Sequence, residues 1–311
     1  MSKKVVVALG GNAILQPKQA GTIEEQMENV LNASENIVKL VKEGYEVVIA
    51  HGNGPQVGNI LLQNAAARDQ VPAMPLYVCG AESQGLIGYM IQQNIGNELK
   101  KQGIDKKVVT LLTQVVVDKN DKAFEHPTKP VGAFYTEDEA KAGIAKGENW
   151  VEDSGRGWRK VVASPRPIDV VELDEVKDLI EAGCIVVTVG GGGIPVVKAD
   201  DGQLSGVEAV IDKDLASSLL AKELEADYLV IATDVPNVAI NFGQPNQENL
   251  SKIDLATAKK YLDEGQFGKG SMGPKVEAIM EFVEAGGQGI ITSLDSLRDS
   301  IVAEAGTKIV K

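Results

Sequence analysis

An α/β fold is the architecture this sequence predicts: a mainly parallel sheet covered by helices on both faces, in three layers. Two observations predict it. Short β-branched runs alternate with amphipathic helical segments along most of the chain, and glycine clusters recur where the runs end. Strands separated by helical crossovers pair in parallel and become buried on both faces. With 311 residues, 43% of them hydrophobic and 24% charged, the chain can bury the core such a fold needs.

The run VVVAL at 5–9 reads as a buried strand. Thr22-Ile23-Glu24-Glu25 is a capping box, and Ile23, Met27, Val30, Leu31, Ile37 and Val41 then recur at helical spacing up to Gly44. A strand is expected at 46–50. A helix follows at 81–102, with Ile87, Ile91, Ile95 and Leu99 on one face, and then a third strand at 108–117. The second half predicts helices at 174–182, 213–224, 254–262, 274–285 and 294–305. Its strands are expected at 185–189, 228–232, 289–292 and 308–310.

Residues 118–165 break this rhythm. They hold both tryptophans, Trp150 and Trp158, together with Phe124, Phe134, Tyr135 and the prolines at 127, 130 and 165. An unstructured loop of that length is unusual within a domain, so an inserted subdomain is expected. Composition alone fits a surface elaboration, a dimer contact or a lid equally well.

The formal net charge of −13 argues against a general nucleic-acid or anionic-membrane surface. Anions would have to be bound locally, by lysines, backbone N–H groups or a metal ion. Cys79 and Cys184 are isolated, which excludes a zinc ribbon or a disulfide framework and suits free thiols in a reducing compartment. Lys3-Lys4 before the apolar run mimics a signal peptide, but the run stops at Gly10 and no cleavage site follows. No apolar stretch is long enough to span a bilayer, and a cytoplasmic location is expected.

Three glycine clusters follow strands: Gly10-Gly11-Asn12, Gly52-Asn53-Gly54 and Gly190-Gly191-Gly192-Gly193. The second lacks the third glycine of a dinucleotide fingerprint, which would fall at Val57. Glycine lets the backbone approach a ligand and turn its N–H groups inward, and a helix starting near Pro55 would add its positive end. A β-carbon at Gly11 or Gly54 is expected to obstruct the ligand or to strain a positive φ. One such cluster would suit an ordinary turn. Three at strand ends, two with a Gly-Asn element, point to an anion pocket.

There is no Walker A pattern; the stretch 268–275 has the wrong spacing. Lys275 nevertheless lies just inside one expected helix start, and Lys213-Asp214 opens another. Lysines there oppose the helix dipole, so a negative group should compensate them. His51 and His126 are the only histidines, and neither a Ser/His/Asp set nor a metal-ligand spacing is present. His51 is expected to make a structural hydrogen bond beside the glycine loop. Phosphoryl transfer fits this inventory, because positioning and charge neutralisation carry most of its catalysis.

The segments VVVALGGNAI (5–14), HGNGPQVG (51–58), HPTKPVGAFY (126–135), SPRPI (164–168), VTVGGGGIPVV (187–197), DKDLAS (212–217) and GSMGPKVEA (270–278) together resemble the carbamate kinases of the amino-acid kinase family. The likeness runs in order through nearly the whole chain. It implies one open α/β domain over 1–311, with an N-terminal acceptor-binding part and a nucleotide-binding part from about 213 to 311. It also implies a homodimer and the reaction ATP + carbamate ⇌ ADP + carbamoyl phosphate, with Mg²⁺ held mainly by the nucleotide phosphates. Production of ATP in arginine catabolism would follow.

Carried over by that likeness, Gly10, Gly11, Asn12, Gly52, Asn53 and Gly54 would hold carbamate and the transferring phosphoryl group. Lys213 and Lys275 would neutralise phosphate charge, with Asp214 holding both ammonium groups. Gly190, Gly191, Thr233, Asp234, Val235, Met272 and Gly273 would contact the nucleotide. Acetylglutamate- and aspartate-kinase members generally carry a lysine just before the first glycine pair, where this chain has Ala8-Leu9. The missing charge would come from Lys129 on the insert, which favours the lid. Other small carboxylates or a nucleoside monophosphate are alternative acceptors, and a non-catalytic nucleotide sensor is the alternative class. Intact Lys213, Asp214 and Lys275 favour the enzyme.

Overall fold

The apolar run at 5–9 forms β1 (Lys4–Leu9), whose burial on both faces sets the layer arrangement. The structure is a computed structural model in which residues 2–153, 157–268 and 270–311 are described. After β1 come α1 (Ile23–Lys42), β2 (Glu46–His51), α2 (Gly54–Ala67), α3 (Leu76–Lys101) and β3 (Val108–Thr110). The next segment holds β4 (Gln114–Val117), β5 (Lys129–Tyr135), α4 (Glu137–Ile144), β6 (Trp150–Asp153), β7 (Gly157–Val162) and β8 (Pro167–Val170). Then follow α5 (Leu173–Glu181), β9 (Ile185–Val187), β10 (Ile194–Lys198), β11 (Leu204–Gly206), α6 (Lys213–Glu223) and β12 (Tyr228–Thr233). The chain closes with β13 (Ala239–Ile240), β14 (Glu248–Asn249), β15 (Lys252–Asp254), α7 (Leu255–Asp263), α8 (Met272–Glu284), β16 (Gln288–Ser293), α9 (Leu297–Val302) and β17 (Thr307–Val310).

The main sheet orders its described strands β15-β17-β16-β12-β1-β2-β9-β3 and is parallel except where β16 meets β17. Val6 and Ala8 of β1 face one core, shared with Val176 of α5, Leu220 of α6 and Ile279 of α8. Val5, Val7 and Leu9 face the other, shared with Ile37 of α1 and Ile87 and Ile91 of α3. Alternation of this kind is what a strand with two covered faces requires. β1 has β2 on one side and β12 on the other, so the connections diverge at its carboxyl end. A crevice opens there, as in other open α/β sheets.

Local signals behaved unevenly. The capping box forms: Thr22 Oγ1 accepts from the Glu25 amide, and Glu25 Oε2 accepts from the Thr22 amide at 3.1 Å. Yet Ile23 and Leu31, expected on the buried face of α1, are 47% and 41% exposed; Ala33, Leu40 and Val38 take that face instead. The single strand expected at 108–117 is two strands in two sheets, for β4 joins β11-β10-β4-β8. At the break the buried Gln84 side chain binds Thr113, its Oε1 accepting from the Thr113 amide and its Nε2 donating to the Thr113 carbonyl. The helix expected at 294–305 is a 3-10 turn followed by the short α9. Cys79 and Cys184 are free thiols. Among the described residues no helix is long and apolar enough to cross a membrane.

Residues 129–162 carry a small sheet of order β5-β7-β6 with α4 beside it. Val131 and Val162 pack with Val57, Leu76 and Cys79, which seats this unit against α2 and α3.

Close approach of α3 to β3 yields a stability test. A Cβ on Gly88 would fall inside the van der Waals surface of Thr110 Cγ2, and Thr110 is held because its Oγ1 donates to the Gly88 carbonyl at 2.9 Å. Gly88→Ala should cost ~1–3 kcal/mol, the range for overpacking, despite alanine's better helix propensity. Urea unfolding measures it, and an unchanged midpoint and slope would show that the two elements separate freely.

Candidate active site

Three strand ends build the crevice. β1 hands over to Gly10, whose amide donates to the Ala232 carbonyl at 3.1 Å, and then to the turn Gly11–Ala13. β2 hands over to Gly52, whose amide donates to Leu9 O at 3.0 Å. A Cβ on Gly52 would lie 3.4 Å from the Gly11 amide nitrogen and 3.3 Å from Lys213 Cδ, so the two glycine turns and the lysine stem are in near contact. α2 then begins at Gly54 with Pro55 in its first turn, directing its positive end toward the same space. β12 ends at Thr233, and Asp234 accepts a hydrogen bond from Asn12 Nδ2.

Two cavities meet there. The larger, about 390 Å³, is lined by Gly10, Gly11, Asn12, Thr233, Asp234, Val235, Met272, Lys213 and Lys275, with Ala239, Phe242 and Phe267 forming its apolar part. The smaller, about 270 Å³, is lined by Gly11, Gly52, Asn53, Gly54, Lys129, Arg159, Gly191 and Lys213. Gly11 and Lys213 line both. A group at the junction would be reached from either side.

The charges at that junction come from two helix starts. Lys213 is the first residue of α6, and Lys275 sits in the first turn of α8. Asp214, 2% exposed, accepts from Lys213 Nζ and, at 3.2 Å, from Lys275 Nζ. This carboxylate is the compensating group that two lysines near positive helix ends require. Burial pushes the Lys213 ammonium below the usual lysine range; nearby Lys275 adds to that, while Asp214 opposes it. Two cations sharing one carboxylate leave positive charge for an incoming anion.

His51 has the structural role expected of it. It is 1% exposed, and its Nδ1 pairs with the Gly52 carbonyl at 3.0 Å. Burial pushes its pKa down to about 4, against the opposing effect of that hydrogen bond. The imidazole is therefore neutral at physiological pH, with Nδ1–H as donor.

Several residues expected at the nucleotide lie apart from the larger cavity. Gly190 and Gly191 do not line the larger cavity. Gly190 packs on His51, and Gly191 lines the smaller cavity, where a Cβ would collide with the Asn53 amide. Gly191 has φ +66°, so both space and backbone demand glycine there. Asn53 is then free to donate to Ser83 Oγ at 2.8 Å. Gly273 is buried in the first turn of α8, its amide donating to Gly268 O at 2.9 Å, and it does not line the larger cavity. Gly11 and Gly54 have no left-handed φ, and a Cβ on either meets nothing closer than 4.0 Å, so backbone strain is no reason for glycine there. What remains is the space a ligand would occupy. Lys269, part of the stretch that fails the Walker pattern, lies outside the described residues.

Lys129 does reach the crevice. It opens β5, lines the smaller cavity and donates to Asp212 Oδ2 at 2.7 Å. Sequence reasoning assigned no role to Arg159 or Asp212. Arg159 lies on β7 with its guanidinium over the Phe134 ring at 5.1 Å and Nη2 donating to Gly132 O at 3.0 Å. No motif marks it. Asp212 had a legible signal: an aspartate directly before a helical run is an N-cap pattern.

The profile of the amino acid kinase family matches residues 3–293. Over 315 residues the chain is 52% identical to a carbamate kinase of Thermococcus kodakarensis, with 99% of each chain covered. Over 313 residues it is 51% identical to one of Staphylococcus haemolyticus, again with 99% of each covered. Among solved structures, a carbamate kinase from Giardia lamblia bound to AMP-PNP superposes with a TM-score of 0.94 at 50% identity, covering 100% of this chain and 99% of that one.

The buried imidazole makes acid stability testable. An unfolded chain binds the His51 proton near pH 6.5, whereas the folded chain excludes it down to about 4. The unfolded state thus holds more protons within that window, and stability must fall as pH drops through it. The loss attributable to His51 should approach about 3 kcal/mol at the acid end. Unfolding free energies from pH 7 to 4 should show a slope that His51→Asn flattens; an equal slope in both proteins would remove His51 as its source.

Proposed function

The chain belongs to the amino acid kinase family, among its carbamate kinases, and is a phosphotransferase; from that premise we propose that it moves a phosphoryl group reversibly between ATP and carbamate. The observation that carries this reading is the junction of the two cavities at Gly11 and Lys213. The larger cavity has the apolar wall a nucleotide base needs, and the smaller suits a compact anion beside backbone N–H groups.

In the ATP-forming direction, a β-phosphate oxygen of ADP attacks the phosphorus of carbamoyl phosphate. The bond from phosphorus to the carbamate oxygen breaks, and carbamate leaves with that electron pair. No proton has to move, which fits a site whose one buried histidine is neutral and engaged with its own loop. Lys213 and Lys275 balance charge on the transferring group, and Asp214 keeps both ammonium groups aimed. Fixed donors and a fixed ion triad need no reorganisation as charge shifts.

Mg²⁺ belongs to the same proposal, as a companion of the nucleotide. Asp234, held by Asn12, would offer one hard carboxylate oxygen from the cavity wall, and the nucleotide phosphates would supply most of the others. The ion would spread charge over the phosphate oxygens when bound.

The proposal includes a lid function for the insert, with Lys129 as its contact to the acceptor. It also includes a cytoplasmic homodimer working toward ATP in arginine breakdown. Leu86 and Tyr89 on α3, with Leu112 after β3, expose apolar surface that a second copy would cover.

Purified protein given carbamoyl phosphate, ADP and Mg²⁺ should form ATP in a luciferase-coupled assay; absence of ATP would sink the reading. Lys275→Ala should lower kcat by ~10²-fold or more, as for removal of a group that stabilises developing charge. Undiminished turnover in a folded variant would take Lys275 out of the mechanism.

A further inference from the structure

We propose that Asp212 is the positioning residue for Lys129: the carboxylate that caps α6 also aims the insert's ammonium group into the smaller cavity. This deepens the function proposed above, since it rests on reading that cavity as the acceptor site.

The two carboxylate oxygens divide the work. Oδ1 accepts from the Asp214 amide at 2.9 Å and the Leu215 amide at 3.4 Å, which fixes the helix start carrying Lys213 and Asp214. Oδ2 accepts from Lys129 Nζ at 2.7 Å. Capping explains only the first oxygen. Serine, threonine or asparagine would cap as well, without placing a negative charge beside a cavity built for anions. That charge repels the ligand, so its presence calls for a second role, and Oδ2 shows one.

Lys129 needs such a partner. Its backbone is already fixed: it pairs with Val162 across the β5–β7 ladder, Pro130 restricts its ψ, and Val131 is packed beneath α2 and α3. Its four-carbon stem is not fixed by any of this and would otherwise sample many rotamers. The Asp212 side chain is 15% exposed against 34% for Lys129, so the anchor is the more buried member. Burial works against the charge on Asp212, but the pull of Lys129, its hydrogen bond and nearby Lys213 outweigh that and hold the carboxyl below its usual range. The carboxylate therefore stays ionised wherever it must hold the ammonium. The pair parallels the Asp214 triad: one aspartate orients the lysines of the nucleotide side, the other the lysine of the insert.

The test uses Asp212→Asn, which keeps an N-capping oxygen and removes the charge, together with Lys129→Met and the double variant. Asp212→Asn should raise the KM for carbamoyl phosphate ~10-fold, the scale of one charge-assisted hydrogen bond. Its kcat, ADP affinity and Tm should stay near wild type, and the double variant should be no worse than Lys129→Met alone. Unchanged KM in Asp212→Asn would reduce Asp212 to a cap and overturn the proposal. Asp212→Ser, also a capping residue, repeats the measurement should the asparagine variant fail to fold. A second readout is independent of the reaction. The chain's two tryptophans both lie in the insert, so acrylamide quenching reports on that unit alone. Quenching should rise in Asp212→Asn and in Lys129→Met, with no further rise in the double variant. If wild-type protein makes no ATP, the proposed reaction fails, and the quenching pattern alone decides the latch: unaltered quenching in Asp212→Asn overturns it.

Discussion

A single buried carboxylate, Asp214, holds two ammonium groups that arrive from different helices, and the crevice depends on it. Lys213 and Lys275 both stand near positive helix ends, where a bare ammonium is unfavourable, and they also repel each other. Without Asp214 the two side chains would separate and turn to solvent. With it, they remain together and converge on one place. The arrangement costs desolvation, visible in the depressed Lys213 ammonium, and breaking such a triad from one side leaves an uncompensated buried charge.

The sheet makes that triad possible. β1 is flanked by β2 and β12, so three strand ends open side by side, and their loops need only one or two residues to reach the crevice. Helices α6 and α8 lie on the same face of the sheet and pack on one core. Their first turns therefore meet above the strand ends. The small sheet of residues 129–162 closes the remaining side, seated by Val131 and Val162 on α2 and α3.

Much of this was legible in the amino-acid order. β1, β2 and β12 announced themselves as unbroken apolar runs, and both faces of such a strand must be covered. Lys213, Asp214, Lys275 and the first two glycine turns do come together at one crevice. What the sequence hid was set by long-range contacts. Nothing local in the stretch 108–117 foretells that the chain changes sheets there, or that a glutamine on α3 binds the Thr113 amide at that point. Similarly, Gly190 and Gly191 follow a strand like the other glycine turns, yet their strand is β9, two places from β1, so they pack on His51 and Asn53. Helical spacing could not place Ile23 and Leu31, because which arc of α1 is buried depends on where α3 lies.

Gly11 and Lys213 stand on the wall of both cavities, and this shared wall has a consequence for pairing. Under the proposed chemistry, one phosphoryl group fits at the shared point. ADP with carbamoyl phosphate supplies one, and so does ATP with carbamate. ATP with carbamoyl phosphate would bring two to the one place where Gly11 and Lys213 serve both cavities, and their like charges would oppose each other there. A site of that kind would sort productive from unproductive couples by occupancy, and the affinity for either ligand would then depend reciprocally on the charge of the other.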